Sequence, residues 1–175
     1  MILIPGFLVS IATFPGVIVH EAGHMLACKI RGVAVFDVCY FRFGNPAGYV
    51  LHEEIKDFNT AFLVAVGPFI TNTLLCIIIC FPTYLPMRFF EVSGTFSYLL
   101  LYLGVSIGMH AFPSTHDAKG LMDQAKKAAG RWNPLAIASF PLVIAIYIAN
   151  ALSGVWFDYL YGLFVGYYLP QMVLG

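Results

Sequence analysis

The chain of 175 residues is 60% hydrophobic and 10% charged, with a formal net charge of zero and a mean hydropathy of +0.83. Soluble domains carry about a quarter of their residues as charges, so this composition excludes an ordinary soluble domain and predicts an integral membrane protein. Balanced charge with no basic stripe, no recognition helix and no RNA-binding signature leaves nucleic acid outside the expected partners.

Five apolar runs follow one another, at 2–27, 59–81, 93–112, 135–152 and 155–174, each near the ~20 residues a bilayer crossing needs. They predict an all-α integral membrane bundle of four to five transmembrane helices in a single domain, with its core in 1–125 and additional helices in 135–174. The number stays open because only Ser153-Gly154 separates the last two runs, which then form a tight hairpin or include a re-entrant segment. The first run has no charged n-region and carries ionisable groups at its end, so it reads as a retained helix and not a cleaved signal peptide. Cys28, Cys39, Cys76 and Cys80 contain no Cys-x-x-Cys pair and read as small apolar residues of the interior.

Pro15-Gly16 in the first run is expected to kink the helix one turn before His20-Glu21-Ala22-Gly23-His24. Histidines four apart project from one helix face, so both can reach a single metal ion while Glu21 addresses a water bound to that ion. Ionisable groups beside hydrocarbon cost a few kcal/mol each without partners, which calls for a ligand that satisfies all three.

After this run, 33–43 is rich in Val, Phe and Tyr, Gly44-Asn45-Pro46-Ala47-Gly48 interrupts it, and Tyr49–His52 resumes an extended pattern. A β-hairpin between the first two helices is predicted. Its free edge could hold an extended peptide by strand addition, or the hairpin could only cap the bundle. His52, beside Glu53 and Glu54, reads as solvated.

Lys29, Arg31, Arg42 and Lys56 occupy the 27–58 loop and Lys119, Lys126, Lys127 and Arg131 the 113–134 loop, while the 82–92 loop holds Arg88 alone. The positive-inside rule then puts the two long loops in the cytoplasm, the N-terminus outside, and the histidine pair near the cytoplasmic end of the first span. A catalytic zinc normally takes a third protein ligand, which must come from the same depth. The third run ends there with His110-Ala111-Phe112-Pro113-Ser114-Thr115-His116-Asp117, so Asp117 is the first choice and His116 the second. Asp158 is placed by the same topology near the outer face, at the wrong end.

His20-Glu21-x-x-His24 ending one span, a β-like loop, Gly67-Pro68 in the next span, and Pro113…Asp117-x-x-Gly120 ending a third together resemble the site-2 protease family of intramembrane zinc metalloproteases. The resemblance covers roughly 10–125. The family's Asn-x-x-Pro before Leu-Asp-Gly stands here as His110-x-x-Pro113 and then His116-Asp117-Ala118-Lys119-Gly120, and its Gly-Pro-x-x-Asn as Gly67-Pro68-Phe69-Ile70-Thr71-Asn72, with Asn72 one position late. These departures imply a divergent branch.

The resemblance implies one zinc per chain held by His20, His24 and Asp117, and a transmembrane protein substrate cleaved within the lipid bilayer near the cytoplasmic side. Glu21 is the expected general base, taking the proton of the attacking water and handing it to the leaving amine. His110 or Asn72 could donate to the oxyanion, or could make the interhelical hydrogen bond that such residues form in membrane helices. Two alternatives stay open: a non-proteolytic scaffold or sensor, against which an intact Glu21 argues, and a metal transporter, whose ligands would sit on broken helices near the bilayer midplane.

Overall fold

The first apolar run folds as two helices in the computed structural model, which describes residues 6–90, 94–152 and 156–174. α1 (Gly6–Ala12) and α2 (Phe14–Arg31) break at Thr13, whose backbone stands at φ −119°, ψ 32° and whose hydroxyl donates to the Val9 carbonyl. Pro15 lies in the first turn of α2, where a missing N–H costs no helical hydrogen bond and the ring presets φ. The kink expected at Pro15-Gly16 is therefore a helix start, with the break just upstream. α2 ends where Gly32 takes φ 67°, a left-handed cap whose N–H meets the Cys28 and Lys29 carbonyls. His20–His24 thus sits in the middle of a helix and not at its end.

β1 (Val35–Cys39) and β2 (Tyr49–His52) pair antiparallel, with Cys39 opposite Tyr49 and Val35 opposite His52. Val33, Val35 and Ile55 pack on Ala27, Cys28 and Val64, which fastens the hairpin across α2 and the next helix. That helix, α3 (Phe58–Phe89), starts at Asp57, whose carboxylate accepts the Thr60 N–H at 2.9 Å. Its 32 residues extend about 48 Å, more than the ~30 Å of bilayer hydrocarbon.

α4 (Thr95–Met109) lies against α3 through Gly104 and Gly108; a Cβ on Gly108 would stand 2.9 Å from the Cys76 sulfur. Cys28, Cys76 and Cys80 are buried and serve as interior residues, whereas Cys39 in the hairpin is only half-buried. α3 and α6 (Pro134–Ala151) are long and apolar enough to cross a membrane, and α4 is apolar but shorter.

α5 (Thr115–Ala129) is amphipathic, and its Ala118, Leu121 and Ala125 fill a core with Phe58, Ala65 and Val66 of α3 and Ala136, Val143 and Ile146 of α6. α6 begins beside the first turn of α3, where Asn133 donates to Asn59 at 3.4 Å, and ends where Asn150 donates to the Pro113 carbonyl at 3.0 Å. α7 (Phe157–Leu163) continues through a π-helical turn (Phe164–Tyr168) into α8 (Leu169–Leu174). This last helix runs back along α4 and α3, with Phe112 against Phe157 and Tyr84 against Tyr167. The end of α6 and the start of α7 therefore lie near the α4-to-α5 connection, not at the opposite face as the sequence suggested. Ser153-Gly154, where a hairpin or re-entrant turn was expected, lies outside the described residues.

Candidate metal centre

His20 and His24 project from one face of α2 with ring centroids 4.9 Å apart and an interplanar angle of 80°. Each ring is tethered by its Nδ1. His20 Nδ1 donates to the His110 carbonyl at 2.6 Å and His24 Nδ1 to the Val64 carbonyl at 2.9 Å. A carbonyl can only accept, so each Nδ1 carries a proton and each Nε2 offers its lone pair when the ring is neutral. Without a metal, His24 Nε2 can instead carry a second proton towards Asp117 Oδ2. Both acceptors are backbone oxygens that the helices leave unused. In α3 the N–H that would ordinarily reach Val64 belongs to residue 68, which is Pro68 and has none. His110 caps the C-terminus of α4, where carbonyls lack helical partners.

Asp117 occupies the first turn of α5, where a capping box joins it to Ser114. Its Oδ2 accepts from the Ser114 hydroxyl at 2.5 Å and stands 3.5 Å from His24 Nε2. Burial works to raise the Asp117 pKa, but the adjacent His24 imidazole, and then the Ser114 hydroxyl, outweigh it and hold the carboxyl well below the usual range. His116, the second choice from sequence, is exposed and is not part of this group.

One ligand atom from each of His20, His24 and Asp117 lies within 4.8 Å of the others. Zinc bonds of about 2.0–2.2 Å at a tetrahedral angle would separate neighbouring ligand atoms by about 3.3–3.6 Å, so the His24–Asp117 spacing already fits and the widest pair needs to close by little more than an ångström. Two imidazoles and a carboxylate converge, a donor set that could hold a metal ion. These residues fit a zinc ion, with two imidazoles and a carboxylate leaving a fourth position open. The tethered Nδ1 atoms supply the outer hydrogen bonds that orient metal-binding histidines.

Glu21 is 8% exposed and lines a cavity of about 730 Å³ with His20, Met109, His110 and the hairpin turn 44–48. Gly48 makes the close approach of that turn feasible: a Cβ there would meet Glu21 Cγ at 2.7 Å. A second cavity, of about 900 Å³, reaches Asp117 from the side of Glu53, Lys127 and Arg131.

His110 lines the Glu21 cavity, with its Nε2 2.7 Å from the Thr13 hydroxyl. Asn72 does not. It is fully buried, and its Nδ2 stands 3.3, 3.0 and 3.0 Å from the carbonyls of Gly16, Ile107 and His110, joining α2, α3 and α4 behind His20. Of the two residues considered as oxyanion donors, only His110 faces the cavity. Asp158 corrects the sequence reading: it lines the same cavity as His20 and Glu21, because α6 returns to this end before α7 begins. The roles of Pro68 and Ser114 were also missed, although a proline four residues after Val64 and a Ser-x-x-Asp capping pattern were both visible signals.

No family model matches the chain, and no curated protein or solved structure matches it.

Proposed function

We propose that this chain is an intramembrane zinc metalloprotease, a divergent relative of the site-2 proteases, that hydrolyses peptide bonds of transmembrane protein substrates near the cytoplasmic face. The observation that carries the reading is the convergence of His20, His24 and Asp117, with Glu21 beside them on a cavity. Exposed Ile70, Leu74, Ile78, Phe96 and Leu99 give the bundle an apolar surface suited to lipid. The crossing bundle consists of α2, α3, α4 and the α7–α8 helix, with the basic 27–58 and 113–134 loops in the cytoplasm.

When bound, zinc supplies Lewis acidity and lowers the pKa of water at the site. His20, His24 and Asp117 would hold it, and the His110 and Val64 carbonyls keep both rings aimed. Glu21 takes a proton from the attacking water and returns it to the departing amine. His110 is on the wall of the same cavity. Its Nε2–H is given to the Thr13 hydroxyl, whose own proton goes to Val9, so it would have to leave Thr13 to donate to the oxyanion.

The test is a pair of variants in purified protein. Glu21→Gln should keep about one zinc per chain and the helical fold while cleavage of a membrane-embedded substrate stops; His24→Ala should lose the metal. Wild-type protein that takes up no zinc on titration overturns the reading. Zinc loss in Glu21→Gln makes Glu21 a ligand instead of the base.

A further inference from the structure

The cavity beside Glu21 contains a second carboxylate that the proposed reaction does not use. Asp158 stands on its wall, and the Asp158 Oδ1 is one of two buried side-chain polar atoms without a hydrogen-bond partner among the described residues. No lysine or arginine is among the residues lining this cavity, whereas Lys56, Lys127 and Arg131 line the other one. The cavity wall mixes apolar residues, among them Val17, Met109 and Phe112, with polar ones such as Ser114, Thr115 and Asn150. An ionisable carboxylate so placed is costly to maintain without a donor, and such groups inside membrane proteins mark ligand paths.

Its position is firmly held. Trp156 caps α7 in the left-handed region at φ 69°, an unfavourable conformation for a bulky residue, and stacks edge-on with Tyr159 at 6.3 Å. Phe112, next but one to His110, packs on Phe157 at 5.4 Å and on Tyr161 at 4.8 Å. α7 is thereby anchored to the segment that supplies the His110 carbonyl. A carboxylate turns broadly about its last torsion, so either oxygen can meet a donor that enters the cavity.

We propose that Asp158 is the specificity-determining carboxylate of this cavity and receives a basic side chain, lysine or arginine, of the membrane segment bound across the metal centre. The proposal rests on the protease reading for the identity of its ligand. It names the substrate class: an apolar segment with one basic residue at a fixed distance from the scissile bond. Among the described residues no lysine or arginine lines the cavity, which leaves Asp158 available to form a charge-assisted pair with an entering basic side chain.

The test is binding, read on zinc-loaded Glu21→Gln protein in detergent so that no cleavage is required. The probes are synthetic apolar membrane peptides carrying a single lysine moved one residue at a time, each compared with its norleucine counterpart by fluorescence anisotropy. At one register lysine should bind roughly tenfold tighter than norleucine, and adding Asp158→Asn should reduce the ratio to about twofold or less while the norleucine peptide binds as before. An apolar carbodiimide should couple that lysine to Asp158, mapped by mass spectrometry, a measurement that needs no further variant. Equal binding of lysine and norleucine at every register, a preference that survives Asp158→Asn, or coupling only elsewhere overturns the inference. Lysine preference in a protein whose Glu21 form cleaves nothing would sink the protease reading alone.

Discussion

His20 donates its Nδ1–H to the carbonyl oxygen of His110 across 2.6 Å, and the same oxygen stands 3.0 Å from Asn72 Nδ2. One orphan carbonyl at the end of α4 therefore sets the orientation of the His20 ring and is itself fixed by an amide from α3. Asn72→Ala removes the amide that serves three backbone oxygens. The variant should be less stable by about 1–3 kcal/mol, and its zinc affinity should fall by about tenfold or more because His20 loses its support. Thermal unfolding and chelator competition measure the two effects; unchanged zinc affinity would show that the His110 carbonyl holds its place without Asn72.

Asp117 and His116 are neighbours in sequence with opposite surroundings. The Asp117 carboxylate meets His24, and His116 is exposed. Asp117→Ala should weaken zinc binding by about two orders of magnitude or more, whereas His116→Ala should change it by less than about threefold. Titration with a competing chromophoric chelator decides between them, and the reverse ranking would transfer the third ligand to His116.

Gly48 has no side chain in a turn pressed on Glu21, the proposed general base. A methyl group there would stand 2.7 Å from Glu21 Cγ and 3.0 Å from both Glu21 Oε1 and the Tyr40 carbonyl. Gly48→Ala should leave zinc content intact and lower cleavage by about tenfold or more through displacement of Glu21 or the turn. Full activity in this variant would mean that the hairpin turn is free to retreat.

Asp117 also gives the metal-free protein a pH dependence. Its folded pKa is lowered, so the stabilisation it supplies is complete above the unfolded carboxylate value of about 3.9 and is lost as the pH falls through the folded value. Metal-free wild type should exceed Asp117→Asn in stability by about 1 kcal/mol at pH 6, and the gap should narrow steadily below about pH 4. Denaturant or thermal unfolding from pH 6 to pH 3 tests this, and a constant gap would assign the difference to something other than the Asp117 charge.

The hairpin was legible because its causes are local. Val, Phe and Tyr favour extended backbone over 35–39 and 49–52, and the Gly-Asn-Pro-Ala-Gly segment turns the chain between them. The break in the first apolar run was only half legible. Pro15 marked the place, but whether it would kink a helix or start one depended on Thr13 leaving the helical region. The destination of α6 was not legible at all. Its length and apolar composition suit the membrane crossing the sequence predicted, but hydropathy does not name α5 and α3 as the helices that Ala136, Val143 and Ile146 pack against.

The sequence by itself determined that His20 and His24 share a face with Glu21 between them, because the α-helical repeat brings residues four apart together whatever surrounds them. It also determined the two carbonyls that would be left unpaired, since Pro68 carries no N–H and α4 must end before Pro113. Only the tertiary structure decided which groups those carbonyls and that face would meet. Asp117 reaches His24 from 93 positions away because the capped start of α5 folds back over α2. Asp158 borders the same cavity because α6 returns to that end, a choice made by side-chain burial between helices distant in the chain, which no local periodicity encodes.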